Sequence, residues 1–225
     1  MRALLKKIDQ FRYKKLFEIR QDEHNIGEVL IVKNAWSEKT HAFMLKHNIK
    51  ALRLTDSYGF KGQDLSFLSS LTFLRSLEIY CWDAKGLKIV ESLPQLEVLG
   101  LQYESHQKMD LSNFTKLRVA LLRWSKGLDT LFTLPTVELL NIQNYPSEDL
   151  TPILSMTQLK KLYITSRKLK TLTGIRQLPQ LEVLDLYNCP FLTSLDGTEK
   201  LKKLHTLEIK ACKRMGDRTI TAKPA

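Results

Sequence analysis

The chain has 225 residues, 43% of them hydrophobic, and a formal net charge of +11 from 35 Lys and Arg against 24 Asp and Glu. No apolar run reaches the roughly 18 residues of a membrane-spanning helix, and the three cysteines show neither CxxC nor Cys/His zinc spacing. The start, Met1 to Asp9, is basic but has no apolar stretch long enough for a secretory signal, so the cytoplasm is the expected compartment. Residues 1–25 carry apolar Leu4, Leu5, Ile8 and Phe11 and then Leu16 to Ile19, which predicts a short helix or strand covering the N-terminal edge of the domain. Residues 26–48 read as a strand through Val29 to Val32. A helix then enters at Ser37, a good N-cap, runs through Ala42, Phe43, Met44 and Leu45, and leaves at Asn48.

From Ile26 onward one cadence returns nine times: apolar, two variable, apolar, one variable, apolar. The strong copies start at Leu74, Leu96, Leu159, Leu181 and Leu204, and weaker ones at Ile26, Ile49, Leu117 and Val137. Start-to-start spacings are 23, 25, 22, 21, 20, 22, 22 and 23 residues. A second cadence precedes each copy from Leu74 to Leu204. Three residues before lies Leu71, Leu93, Phe114, Leu134, Met156, Leu178 or Leu201. Six before lies Leu68, Val90, Leu111, Leu131, Ile153 or Ile175, and Thr198 breaks the series. A short strand with this pattern cannot bury its apolar face alone, so successive copies must stack into one parallel sheet at the usual ~4.8 Å strand spacing.

Apolar strands recurring every 20–25 residues are the leucine-rich repeat signature. Runs such as Leu172 to Leu184 resemble the repeat of small bacterial leucine-rich repeat proteins with internalin-like 22-residue units. The match is good over residues 49–212 and loose over 26–48. It implies an α/β leucine-rich repeat solenoid: a curved parallel sheet, short 3₁₀ or irregular returns on the convex side, and a helical N-terminal cap. The domain reading is an edge cap at 1–25, a first repeat with a helical return at 26–48, the repeats at 49–212 and a polar tail at 213–225. The family usually places Asn three residues past the last apolar strand position, where it bonds to neighbouring backbone. Here that position holds Ser57, Trp82, Glu104, Ser125, Tyr145, Arg167, Cys189 and Cys212, so an irregular turn is expected in the middle repeats. Cys189 and Cys212 would be stacked inert core thiols, with Cys81 free one position away. The tail reads in two ways: a fold-back cover using Met215 and Ile220, or an uncovered last strand open to pairing with a second copy.

The resemblance implies shape and little chemistry, so function rests on the variable strand positions, which face away from the core. They offer Tyr80, Gln102, Tyr103, Arg123, Trp124, Asn141, Gln143, Tyr163, Asp185 and Tyr187 as candidate partner-binding residues. Tyr, Trp and Arg are enriched in binding hot spots. Of the rings, Trp82 and Tyr145 occupy the ladder position and are expected to be buried, whereas Tyr80, Tyr103, Trp124, Tyr163 and Tyr187 are expected to be exposed. Mixed charge on this strip favours a protein partner over a phosphate backbone. The alternatives are nucleic-acid or acidic-surface binding through residues 159–225, where 14 Lys and Arg face 6 Asp and Glu, and a structural, self-associating role. The five histidines, His24, His41, His47, His106 and His205, have no metal-binding spacing, and no phosphate loop or nucleophile motif occurs. The chain therefore reads as a non-enzymatic, monomeric scaffold without metal or cofactor, in one version an inhibitor or immunity-type protein.

Overall fold

The computed structural model describes residues 9–61, 64–103 and 108–221. The expectations on Leu4, Leu5, Ile8, Glu104 and His106 fall outside them. The chain forms two compact units, residues 1–104 and 105–225.

In the first unit, residues 9–12 are helical and lead to strand β1 (Phe17–Gln21). β1 pairs antiparallel with β2 (Glu28–Val32), Phe17 opposite Val32, and so covers the outer edge of β2. Helix α1 (Glu38–Lys46) starts where the sequence places it. Ser37 is extended, its hydroxyl accepts from the Thr40 N–H at 3.3 Å, and Glu38 and Lys46 lie at the ends that suit their charges. α1 buries Phe43 and Met44, and the Phe43 ring packs 4.5 Å from Phe17 of the covering strand. β3 (Ala51–Thr55), β4 (Ser76–Tyr80) and β5 (Val98–Gln102) continue the sheet in parallel, in register at equal repeat positions.

The second unit repeats the plan with β6 (Val119–Arg123), β7 (Leu139–Gln143), β8 (Lys161–Thr165), β9 (Val183–Tyr187) and β10 (Thr206–Lys210), all parallel. Of the two readings of the tail, the structure shows the cover. β11 (Arg218–Thr221) turns back and pairs antiparallel with β10, Leu207 opposite Ile220, so β10 presents no free edge. The cover is a backbone one: Met215 is half-buried and Ile220 stays 50% exposed.

The two cadences have one physical cause. In the returns from Leu68 on the apolar residues lie three apart because each, Val137 excepted, closes a 3₁₀ bond onto the previous one. Leu71 N–H donates to Leu68 O at 2.9 Å and Leu74 N–H to Leu71 O at 3.0 Å. Val90, Leu93 and Leu96 repeat this, as do Ile153, Met156 and Leu159, and Ile175, Leu178 and Leu181. These side chains are essentially fully buried, so apolar residues at one spacing supply both the turn and the core. Thr198 keeps the backbone bond, Leu201 N–H to Thr198 O at 3.1 Å, and sends its hydroxyl to Leu195 O at 2.9 Å. The break in the sequence pattern is therefore no break in the turn.

Candidate partner-binding site

The end of each strand decides which rings reach the surface. After β7, β9 and β10 the second residue past the last apolar strand position is left-handed: Asn144 (φ 57°), Asn188 (φ 51°) and Ala211 (φ 53°). That kink points the third residue inward, burying Tyr145, Cys189 and Cys212. After β4, β5 and β8 there is no such kink, strand alternation runs on, and the second residue turns inward instead: Cys81, Tyr103 and Ser166, each at most 3% exposed. Ser166 then does the ladder's work, donating to Tyr145 O at 2.9 Å and accepting from the Lys168 and Leu169 N–H groups at 3.0 Å.

This shift corrects two expectations. Tyr103, proposed as an exposed contact, is buried, and Trp82, expected to be buried, is 44% exposed. Tyr145 is buried, its hydroxyl donating to Asp149 O at 2.8 Å. Trp124 is half-buried because its ring stacks at 4° on buried Phe132, centroids 5.0 Å apart. Cys189 and Cys212 are stacked as expected, the Cys189 N–H on the Cys212 sulfur at 3.4 Å, and burial pushes the Cys189 thiol up to about 12. All three cysteines are free and buried.

On the sheet face of the first unit the candidates close on one another. Arg53 and Glu78 hold the same repeat position on adjacent strands and pair at 2.8 Å, with Glu78 only 1% exposed. The Tyr80 hydroxyl donates to the other Glu78 oxygen at 2.7 Å. The next position in that row is Gly100, and a Cβ there would lie 2.6 Å from the Tyr80 oxygen, so glycine is what lets Tyr80 lie down on the sheet. Burial and the neighbouring Glu78 charge push the Tyr80 phenol well above its ordinary value. Sequence reading missed this network, although opposite charges at one repeat position were a usable signal. Gln102 is half-buried at its margin.

The face of the second unit is open. One row in register runs Asn141, Tyr163, Asp185, Glu208, and the next runs Arg123, Gln143, Thr165, Tyr187, Lys210. Asn141 and Tyr187 are exposed, Tyr187 by 53%, and Arg123, Gln143, Tyr163 and Asp185 are half-buried. Glu208 is ion-paired with Lys210. Burial and the Glu208 charge raise the Asp185 carboxyl above the usual carboxylate range. A carboxylate whose folded value is raised opposes folding once it ionises, so its effect is absent below 3.8 and complete above the raised folded value. Asp185→Asn is therefore expected to raise the melting temperature at pH 7 by about 1–2 °C, since the group is partly exposed, with the difference vanishing at about pH 3. Thermal melts of both chains at the two pH values check this.

No protein-family model matches the chain, and no curated protein does. Among solved structures it is similar to an internalin from Listeria monocytogenes, with 17% identity over 79% of this chain and 58% of that one and a TM-score of 0.52. A plant peptide hormone receptor, solved with RGF2, matches at 14% identity over 85% of this chain and 36% of that one, TM-score 0.52. A leucine-rich repeat protein from Leptospira interrogans aligns at 16% identity over 81% of this chain and 60% of that one, TM-score 0.47. The chain thus spans 58% of the internalin's length. With the parallel strands and 3₁₀ returns, the first two likenesses show a leucine-rich repeat fold with internalin-like repeats. Among the described residues no helix is long and apolar enough to cross a membrane.

Proposed function

We propose that the chain is a non-enzymatic protein-interaction scaffold that holds a partner protein on the exposed sheet face of its second unit. The observation that carries this reading is the contrast between the two faces. In the first unit Arg53, Glu78 and Tyr80 satisfy one another, whereas in the second Tyr163 and Tyr187 stand in register beside Asn141, Gln143 and Asp185. Aromatic rings with adaptable polar neighbours on a rigid sheet are what a protein hot spot needs, and their mixed charge suits a protein surface. The plant receptor of this fold, solved with RGF2, supports the same use of the fold. Binding itself would then be the act, as in a stoichiometric inhibitor or immunity-type protein. Free, buried thiols support a reducing compartment, hence the cytoplasm, and the internalin-like repeat supports a bacterial origin.

The test is affinity capture from native lysate with the wild-type chain and with Tyr163→Ala/Tyr187→Ala. A protein retained stoichiometrically by the first and reduced at least about tenfold by the second, whose circular dichroism is unchanged, is the expected result. Equal retention by both would overturn the assignment of the site.

A further inference from the structure

The turns after β8, β9 and β10 form an edge distinct from the sheet face. Ser166, Cys189 and Cys212 are the buried ladder residues of three successive repeats. The residues after them therefore line up: Arg167, Pro190 and Lys213 in one row, Lys168, Phe191 and Arg214 in the next. Phe191 is the aromatic at the centre, 45% exposed, with the Arg214 guanidinium 5.5 Å from its ring centroid. Arg167, Lys168, Lys213 and Arg214 are exposed and make no ion pair with any described residue. Lys170, a little further along, is different: it is taken by Glu148 at 2.7 Å. The acid on this edge is Asp217, whose carboxylate accepts the Ala211 N–H at 2.8 Å.

We propose that this turn edge binds single-stranded nucleic acid, with one base stacked on Phe191 and backbone phosphates held by Arg167 and Lys168 on one side and by Lys213 and Arg214 on the other. Two strand spacings of ~4.8 Å separate the cation pairs by about 10 Å, a reach that a short unstacked stretch of nucleotide backbone covers. Cations beside a partly exposed ring are the two elements of sequence-tolerant single-strand binding: a base supplies a π-face to the part of the ring that Arg214 leaves exposed while the phosphates release counterions. A duplex keeps its bases stacked and leaves the ring unused. An acidic polypeptide would engage the cations but gives no reason for an aromatic between them. This site is separate from the sheet face and does not depend on a protein partner being held there.

The experiment is fluorescence anisotropy of labelled decathymidylate with the full chain. Binding at about 50 mM salt that weakens about 50-fold by about 200 mM is expected for roughly four phosphate contacts. Phe191→Ala should weaken it about tenfold with the salt slope unchanged. Arg167→Glu/Lys213→Glu should abolish it, whereas Lys39→Glu/Lys88→Glu, which changes net charge equally at exposed sites in the first unit, should retain most of it. If the two double variants lose binding alike, overall charge explains the effect and the site is overturned. Decaglutamate competing as well as unlabelled decathymidylate would assign the edge to acidic polypeptides instead, and no binding at low salt would remove it altogether.

Discussion

Tyr103→Ala is expected to destabilise the protein by about 3–5 kcal/mol, while Trp82→Ala costs about 1–2 kcal/mol. Ring size alone predicts the reverse, and so does the repeat alignment, since Trp82 holds the position that a ladder residue should occupy. Backbone geometry decides between them. Neither Cys81 nor Tyr103 is left-handed, so each turns inward, and after Cys81 the ring of Trp82 stays outside the ladder. Removing the Tyr103 ring empties a site that is 2% exposed, into which a close-packed interior can only partly collapse. Trp82 at 44% exposure opens to water when truncated and loses only its covered part. Urea unfolding of the two variants gives the comparison directly, and equal losses would show that the ladder had not shifted.

Arg53→Met is expected to cost about 3 kcal/mol or more, because it strands the Glu78 carboxylate at 1% exposure with a single remaining hydrogen bond, from Tyr80. The double change Arg53→Met/Glu78→Leu should recover most of that loss, since the unpaired buried charge causes the destabilisation and the missing guanidinium contributes little to it. Denaturant unfolding of the two variants beside the wild type measures this. A double variant no better than the single one would mean that Arg53 acts through its packing on the sheet and not through charge.

Much of the fold could be read from the apolar cadence because that cadence is the hydrogen-bonding unit of the return. Leu68, Leu71 and Leu74 are at once a pattern in the sequence and a chain of 3₁₀ bonds. Ser37 likewise marks the start of α1 through its own capping oxygen. The covering strand β11 was less legible: its pairing with β10 is made by backbone, and of its four exposed side chains only Ile220 is apolar. The site was the least legible part, and the reason is a single torsion. Asn144 and Asn188 announce a left-handed turn by residue type, but Ala211 adopts φ 53° with nothing in its side chain to suggest it. Assigning rings to the inside or outside from a fixed offset therefore succeeds at Tyr145 and fails at Tyr103 and Trp82.

The 3₁₀ bonding of the returns also explains how the repeats tolerate unequal length. For each repeat from Leu74 on, the spacing from six residues before its start to the end of its strand is set by the 3₁₀ bonds and the buried apolar positions, so that stretch acts as a ruler. Spacings nevertheless range from 20 to 25 residues, and the difference must be taken up in the slack between the end of a strand and the next return. Length differences and changes at exposed positions can gather there, outside the buried ladder residues, without disturbing the leucines of the returns. In such a chain the capacity to acquire new surface chemistry is largely decoupled from the capacity to stay folded.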